Sequence, residues 1–322
     1  MFAVSAASIN ADNPLEGLVL GEHDDPEPPE DWAVVTVRAA ALNHHDLWTL
    51  KGVGIKAEQL PMILGCDAAG VADDGTEVIV HAVIGDPAAG GGDETLDPRR
   101  SLLSEVHNGT LAEKVMVPRR NLIPKPAVLG WQEAACLPTA WLTAYRMLTT
   151  RGQLTPGQTV LVQGAGGGVA TAAIVLAQAL GARVWATSRD EAKRERAKEI
   201  GAHDAFEPGT RLPERCDLVI ETVGAATWDH SLKSLRPGGR VVVSGATSGA
   251  APSADLNRVF FLQLSVIGST MGTRDELAEL VDLCARLDVR PLIDSQFDLR
   301  DSRAAFERLA TGDAFGKVVI NV

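Results

Sequence analysis

The apolar positions fall into two regimes. Trp32 to Ala41, Glu77-Val78-Ile79-Val80-His81 and Ala112 to Val117 are short β-prone runs broken by Gly, Pro and Asp, which predicts a strand-rich first part. Pro26 to Pro29 reads as an acidic, proline-rich connector, and Gly85 to Arg100 as a Gly/Asp/Pro-rich loop with little to bury. Beyond residue 158 the pattern changes. Thr159-Val160-Leu161-Val162 has no polar alternation, as in a strand covered on both faces, and Ala172, Ala173, Val175, Leu176, Ala177 and Ala179 suit a helix buried over much of its circumference. A second apolar strand, Arg183 to Ser188, then a charged helix, Asp190 to Ile200, stopped by Gly201, complete a β-α-β-α unit. Further strands are predicted at 217–221, 239–244 and 264–269. This alternation is that of an α/β fold with a parallel, doubly wound sheet. A helix over 132–150 leads into it, another over 275–287 follows it, and Gly316 to Val322 closes as a strand rejoining the first part.

The turn between the first strand and its helix carries the chemistry. Gly164-Ala165-Gly166-Gly167-Gly168-Val169-Ala170 lets the backbone pass close to a pyrophosphate, held by the positive end of the helix that follows. In the spacing G-x-G-x-x-G, read on Ala165, Gly167 and Ala170, alanine stands first and third, and the third place requires only close helix–strand packing. A dinucleotide is therefore the expected ligand. At the end of the second strand a carboxylate would bind the ribose 2′-OH of NAD. Here stand Ser188 and Arg189, with Lys193 one helical turn on, a set suited to a 2′-phosphate, so NADPH is the expected cofactor.

Composition narrows the remaining classes. A chain of 322 residues has room for about two domains. The net charge of −12, without basic clusters interleaved with aromatics, disfavours nucleic acid. No apolar run is of membrane-spanning length, and residues 1–10 lack the features of an export signal, so a cytoplasmic protein without a membrane partner is expected. Cys66, Cys136, Cys216 and Cys284 lie far apart with no C-x-x-C pair, against a disulfide framework or a zinc knuckle.

With Ala41-Leu42-Asn43-His44-His45-Asp46-Leu47, Leu64-Gly65-Cys66-Asp67-Ala68-Ala69-Gly70, Gly109-Thr110-Leu111-Ala112-Glu113, Leu142-Thr143-Ala144-Tyr145 and the glycine turn, the sequence resembles the medium-chain dehydrogenase/reductase superfamily. Residues 245–249, 268–272 and 315–317 look like its quinone oxidoreductase-like members. The resemblance runs over essentially the whole chain. It implies a GroES-like catalytic domain over 1–121 and 272–322, a Rossmann domain over 122–271, and a homodimer formed by edge pairing of Rossmann sheets. Zinc-dependent relatives place their catalytic ligands at the positions of Asn43, Cys66 and Thr139, and an amide, a thiol and a hydroxyl make a poor set, so no metal is expected. The structural zinc lobe is also missing, for 85–113 holds no cysteine.

By the same resemblance Asn43 sits beside the nicotinamide, Asp46 orients its segment and Thr143 lies near the nicotinamide wall. His44, His45 and Lys51 are the nearby groups that could donate a proton, or are loop and helix-end surface residues, and Trp48 and Trp141 read as core or as an apolar pocket wall. Implied cofactor contacts are Ala165, Gly167, Gly168, Val169 and Ala170 at the turn, then Val223, Gly224, Gly245, Ala246, Ser269, Thr270 and Met271, with Lys317 bringing charge near the phosphates. The function expected is NADPH-dependent hydride transfer to a quinone or another α,β-unsaturated carbonyl compound without a metal. The alternatives are a zinc-free alcohol or carbonyl dehydrogenase, with His45 stabilising the alkoxide, and a low-turnover NADPH sensor.

Overall fold

A computed structural model describes residues Met1–Val322. Its contacts divide the chain into two compact units, Met1–Leu142 with Met271–Val322, and Thr143–Thr270. Residues 122–142 and Met271 thus lie with the first unit, where the sequence had suggested the second.

The first unit is built on a seven-stranded sheet. Its path runs Leu122–Pro124, Glu77–Val80, Asp67–Ala72, Trp32–Ala41, Lys317–Asn321, Ile293–Asp298, with Lys114–Pro118 also pairing onto Trp32–Ala41. Trp32–Ala41 explains why. Its first half alternates, with Ala33, Val35 and Val37 buried and Thr36 and Arg38 outward, whereas Ala39, Ala40 and Ala41 are all buried. Small side chains with no polar alternation let both faces be covered where Asp67–Ala72 and Lys317–Asn321 flank the strand. The closing strand does rejoin this part, with Val319 opposite Ala41. Phe306, Leu50, Leu64, Leu103, Leu111 and Ile320 fill the core beneath.

The second unit holds a six-stranded sheet in the order Asp204–Phe206, Arg183–Thr187, Thr159–Val162, Cys216–Glu221, Leu235–Val243, Ser265–Gly268. Every neighbouring pair is parallel, and the order is the doubly wound one of dinucleotide-binding folds. Val160, Leu161 and Val162 are fully buried, as the unbroken apolar run requires. The helix Gly168–Ala179 buries seven of its twelve residues, whereas Glu191–Glu199 buries only Ala197 and stands as a solvated helix. Within the 132–150 prediction the structure places Trp131–Ala135 and Leu142–Arg146 as α-helix, with wider i→i+5 turns over Leu137–Trp141 and Met147–Arg151. Pro138 has no N–H to donate, which accounts for the first departure. No helix is long and apolar enough to cross a membrane.

Candidate active site

In the second unit the strand order puts a switch point between Thr159–Val162 and Cys216–Glu221, whose onward connections leave in opposite directions. In doubly wound sheets ligands bind at such a point, outside the carboxyl ends of the strands. Gly164, at φ +82°, turns the chain out of the first strand, and a Cβ on it would lie 3.6 Å from Val223 Cγ2. Gly167 caps the helix Gly168–Ala179 with extended geometry, and a Cβ there would meet nothing within 4 Å. The space over the helix N-terminus, where the first N–H groups have no intrahelical partner, is therefore open. Ala165 and Ala170 are buried, and Gly168 and Val169 partly so.

The other predicted strand-end contacts assemble beside this turn. Gly224 has φ +90°, and a Cβ on it would come within 2.5 Å of Gly249 O, so only glycine fits. That close approach lays the 222–227 loop against 244–249, fixed by Ser248 N donating to Val223 O at 2.7 Å. Val223, Gly224, Gly245 and Ala246 are thereby brought together. Ser269 continues from the edge strand, its N–H on Val243 O at 2.9 Å, and Thr270 is exposed. Met271 instead packs against the core of the first unit. At the end of the Arg183–Thr187 strand Ser188 is half-buried and Arg189 exposed, while Asp190 accepts from Lys193 N at 3.2 Å. Arg194 was missed in the sequence, and it donates to Ser188 O at 2.8 Å and Arg189 O at 3.2 Å. Its signal lay in the helix spacing, which returns residue 194 to the strand end that 189 and 193 flank.

In the first unit, Asn43 precedes the helix His44–Leu50 and is buried. Its N–H donates to Asp46 Oδ2 at 2.8 Å, and Asp46 Oδ1 accepts from Gly65 N at 3.0 Å. Asp46 is fully buried, so it orients the backbone and touches no open space. The Asn43 amide donates to Asp67 Oδ2 at 2.8 Å and accepts from Lys317 Nζ at 2.7 Å. Lys317 Nζ further donates to Asp67 Oδ2 and Leu42 O, each at 2.8 Å. This corrects the expectation for Lys317. A buried ammonium whose three protons are all used has none to offer a phosphate.

His45 faces a polar cluster. Its Nε2 lies 2.9 Å from Glu105 Oε1, and its Nδ1 lies 3.4 Å from Ser104 Oγ and 3.6 Å from Cys66 Sγ. Burial disfavours charge on this imidazole, but the Glu105 carboxylate bonded to Nε2 and the nearby Asp46 favour it, so its pKa is raised above the usual value. Burial pushes the Cys66 thiol up, so it stays protonated and donates to Leu103 O at 3.2 Å. His44 goes the other way: the protein packed around part of its ring, with the Lys317 and Lys51 charges, lowers it, although the side chain also reaches solvent beside Trp48. Trp141 is fully buried as expected, whereas Trp48 is more than a third exposed. Thr143 is buried on Leu142–Arg146 at the start of the second unit.

The family "Alcohol dehydrogenase GroES-like domain" matches residues 29–127, and "Zinc-binding dehydrogenase" matches 168–286. An acryloyl-coenzyme A reductase of Metallosphaera sedula is 30% identical over 95% of this chain and 96% of its own. The chain belongs to the medium-chain dehydrogenase/reductase superfamily. Among solved structures, an NAD-dependent alcohol dehydrogenase superposes with a TM-score of 0.92 at 33% identity, covering all of both chains. A 2-octenoyl-CoA carboxylase reductase in complex with NADP and 2-octenoyl-CoA reaches 0.90 at 25% identity, covering 99% of this superfamily member and 87% of that chain.

The second family's description implies zinc, and the residues here do not fit it. At the three ligand positions Asn43 is an amide held by Lys317 and Asp67, Cys66 is a thiol donating to a carbonyl, and Thr139 is a hydroxyl. An ammonium bonded to the first of them repels a dication. No three His, Cys, Asp or Glu side chains converge as a metal site.

Proposed function

We propose that this protein is an NADPH-dependent reductase that saturates a carbon–carbon double bond conjugated to a carbonyl, with an enoyl thioester as the leading acceptor class and quinones as the second. The observation that carries this reading is Lys317, whose buried ammonium engages the Asn43 amide where zinc-dependent relatives hold their metal. Without a Lewis acid the acceptor must delocalise its own developing charge, as a conjugated thioester or ketone does and a saturated one does not. Similarity to an acryloyl-coenzyme A reductase and to a carboxylase reductase bound to an enoyl-CoA supports the same class. When bound, NADPH supplies the hydride. The chain holds its pyrophosphate over Gly167 and the helix N-terminus, and its 2′-phosphate near Ser188, Arg189 and Lys193. Asn43, fixed by Asp46, Asp67 and Lys317, positions the acceptor, and His45, paired with Glu105, delivers a proton to the enolate that hydride addition leaves.

A second reading is an alcohol or carbonyl dehydrogenase without zinc, favoured by the 33% identity to an NAD-dependent alcohol dehydrogenase. Steady-state assays with chelator-treated protein separate the two. Oxidation of NADPH by enoyl thioesters, enones or quinones supports the reductase, and faster turnover of saturated alcohols with NAD⁺ or NADP⁺ supports the dehydrogenase.

The reductase is also proposed to act as a homodimer joined through Ser265–Gly268. This strand is the last of its sheet, Val266 in it is half-exposed, and Leu256, Phe260 and Phe261, which precede it in the chain, are more exposed still. An exposed apolar edge of this kind pairs with another strand. Sedimentation should give a dimer that Val266→Lys converts to monomer, and a monomeric wild type contradicts it.

A further inference from the structure

Beneath the two loops of the nucleotide crevice lies a buried polar chain. Gly164 N donates to Thr187 Oγ1 at 3.1 Å, and Thr187 donates to Gln163 Oε1 at 2.7 Å. Gln163 Nε2 donates to His230 Nδ1 and to Ser231 Oγ, each at 3.0 Å. Ser231 donates to Glu221 Oε2 at 2.6 Å. On its other side Glu221 Oε1 accepts from Val223 N at 2.8 Å and Gly224 N at 3.0 Å, and Thr227 Oγ1 donates to both carboxylate oxygens. His230 Nε2 completes the set on Thr210 O at 2.9 Å, which fits the tautomer protonated at Nε2.

Gln163, Thr187, Glu221 and Ser231 are each less than 2% exposed. The donors form a single directional series, running from the amide of the glycine turn to the Glu221 carboxylate, which also takes the amides of the Val223–Gly224 loop. A buried carboxylate is retained in a protein interior only when donors surround it. This one is surrounded by the groups that shape the crevice, and core packing alone has no need of a charge there.

We propose that Glu221 is a positioning residue for the dinucleotide: one buried carboxylate fixes the Val223–Gly224 loop directly and the Gly164 turn through Ser231, Gln163 and Thr187. Nucleotide affinity then depends on side chains that lie below the crevice floor. The inference rests on the NADPH-binding reading of this unit. Because the turn and the loop serve the part of the nucleotide common to both cofactors, loosening the chain weakens NADPH and NADH by the same factor.

The test compares Thr187→Val, which keeps the shape and removes the hydroxyl, with Thr187→Ser, which keeps the hydroxyl. Ser231→Ala cuts the chain at its other end, should Thr187→Val not fold. NADPH and NADH are titrated by nucleotide fluorescence, and KM and kcat are measured with a conjugated acceptor. Thr187→Val and Ser231→Ala should raise both dissociation constants and the KM for NADPH by about tenfold, equivalent to about 1.4 kcal/mol. The kcat at saturating NADPH should stay within about twofold of wild type, and Thr187→Ser should bind as wild type does. Unchanged nucleotide affinity in Thr187→Val and Ser231→Ala, or a fall in kcat with KM intact, overturns the proposal. A wild-type protein that binds neither nucleotide overturns the NADPH reading itself, and this inference with it.

Discussion

Replacing Lys317 by methionine removes the ammonium and keeps most of the side-chain volume. It leaves three acceptors, Leu42 O, Asn43 Oδ1 and Asp67 Oδ2, without the donor now at 2.7–2.8 Å. The Asp67 carboxylate is fully buried, its Oδ1 has no hydrogen-bond partner, and Oδ2 would keep only the Asn43 amide. Breaking one half of a buried ion pair costs about 3–5 kcal/mol, because the remaining charge has neither water nor partner. Guanidinium unfolding followed by circular dichroism should show that loss in the transition of the first unit. Lys317→Met combined with Asp67→Asn removes both charges and leaves the Asn43 amide an acceptor, so it should recover at least half of the loss. A cost below about 1 kcal/mol for the single variant, the range of solvated surface pairs, would refute the dry environment assigned here. A double variant no more stable than the single one would refute the pairing.

Three further outcomes follow from the geometry. Gly167→Val should fold as wild type, since φ is −71° and a Cβ meets nothing within 4 Å, yet lose NADPH affinity by about tenfold or more as the side chain enters the pyrophosphate space; equal affinity in titration places the pyrophosphate elsewhere. Arg189→Ala should weaken NADPH on the order of tenfold or more, through loss of a charge-assisted bond of about 1.5–3 kcal/mol, and leave NADH nearly unchanged; equal effects on both cofactors contradict the 2′-phosphate assignment. Asp294 accepts two hydrogen bonds from Arg308 and one from Phe315 N, which outweigh its burial and lower its carboxyl from 3.8 to about 2. A group depressed in this way stabilises the fold above the unfolded value and ceases to as pH falls toward 2, so urea midpoints should drop between about pH 4 and 2, and drop less in Asp294→Asn.

What the sequence disclosed follows from the kind of signal each feature carries. Unbroken apolar runs marked the buried parallel strands, and the glycine turn marked the expected nucleotide site, because both signals are written in contiguous residues. The partners of Lys317 were not legible, since they lie some 250 residues or more earlier in the chain, at Leu42, Asn43 and Asp67. Resemblance assigned that lysine a phosphate, and the fold assigned it a carboxylate. Arg194 was passed over because its helix reads as a solvated face, although its guanidinium reaches back onto Ser188 O. For Trp48 the sequence left core and pocket wall open, and the core alternative fails because His44–Leu50 buries Asp46, Leu47, Thr49 and Leu50 and turns this ring outward.

Hydride transfer to a conjugated carbon without a metal is tested most directly by following the label. Chelator-treated protein is given NADPH deuterated at the transferring C4 position together with acryloyl-CoA, and the product is read by NMR. Deuterium on the carbon β to the thioester carbonyl, formed at a rate that added zinc does not raise, is the predicted result. Deuterium on a carbonyl carbon, or transfer only after zinc is restored, would contradict it.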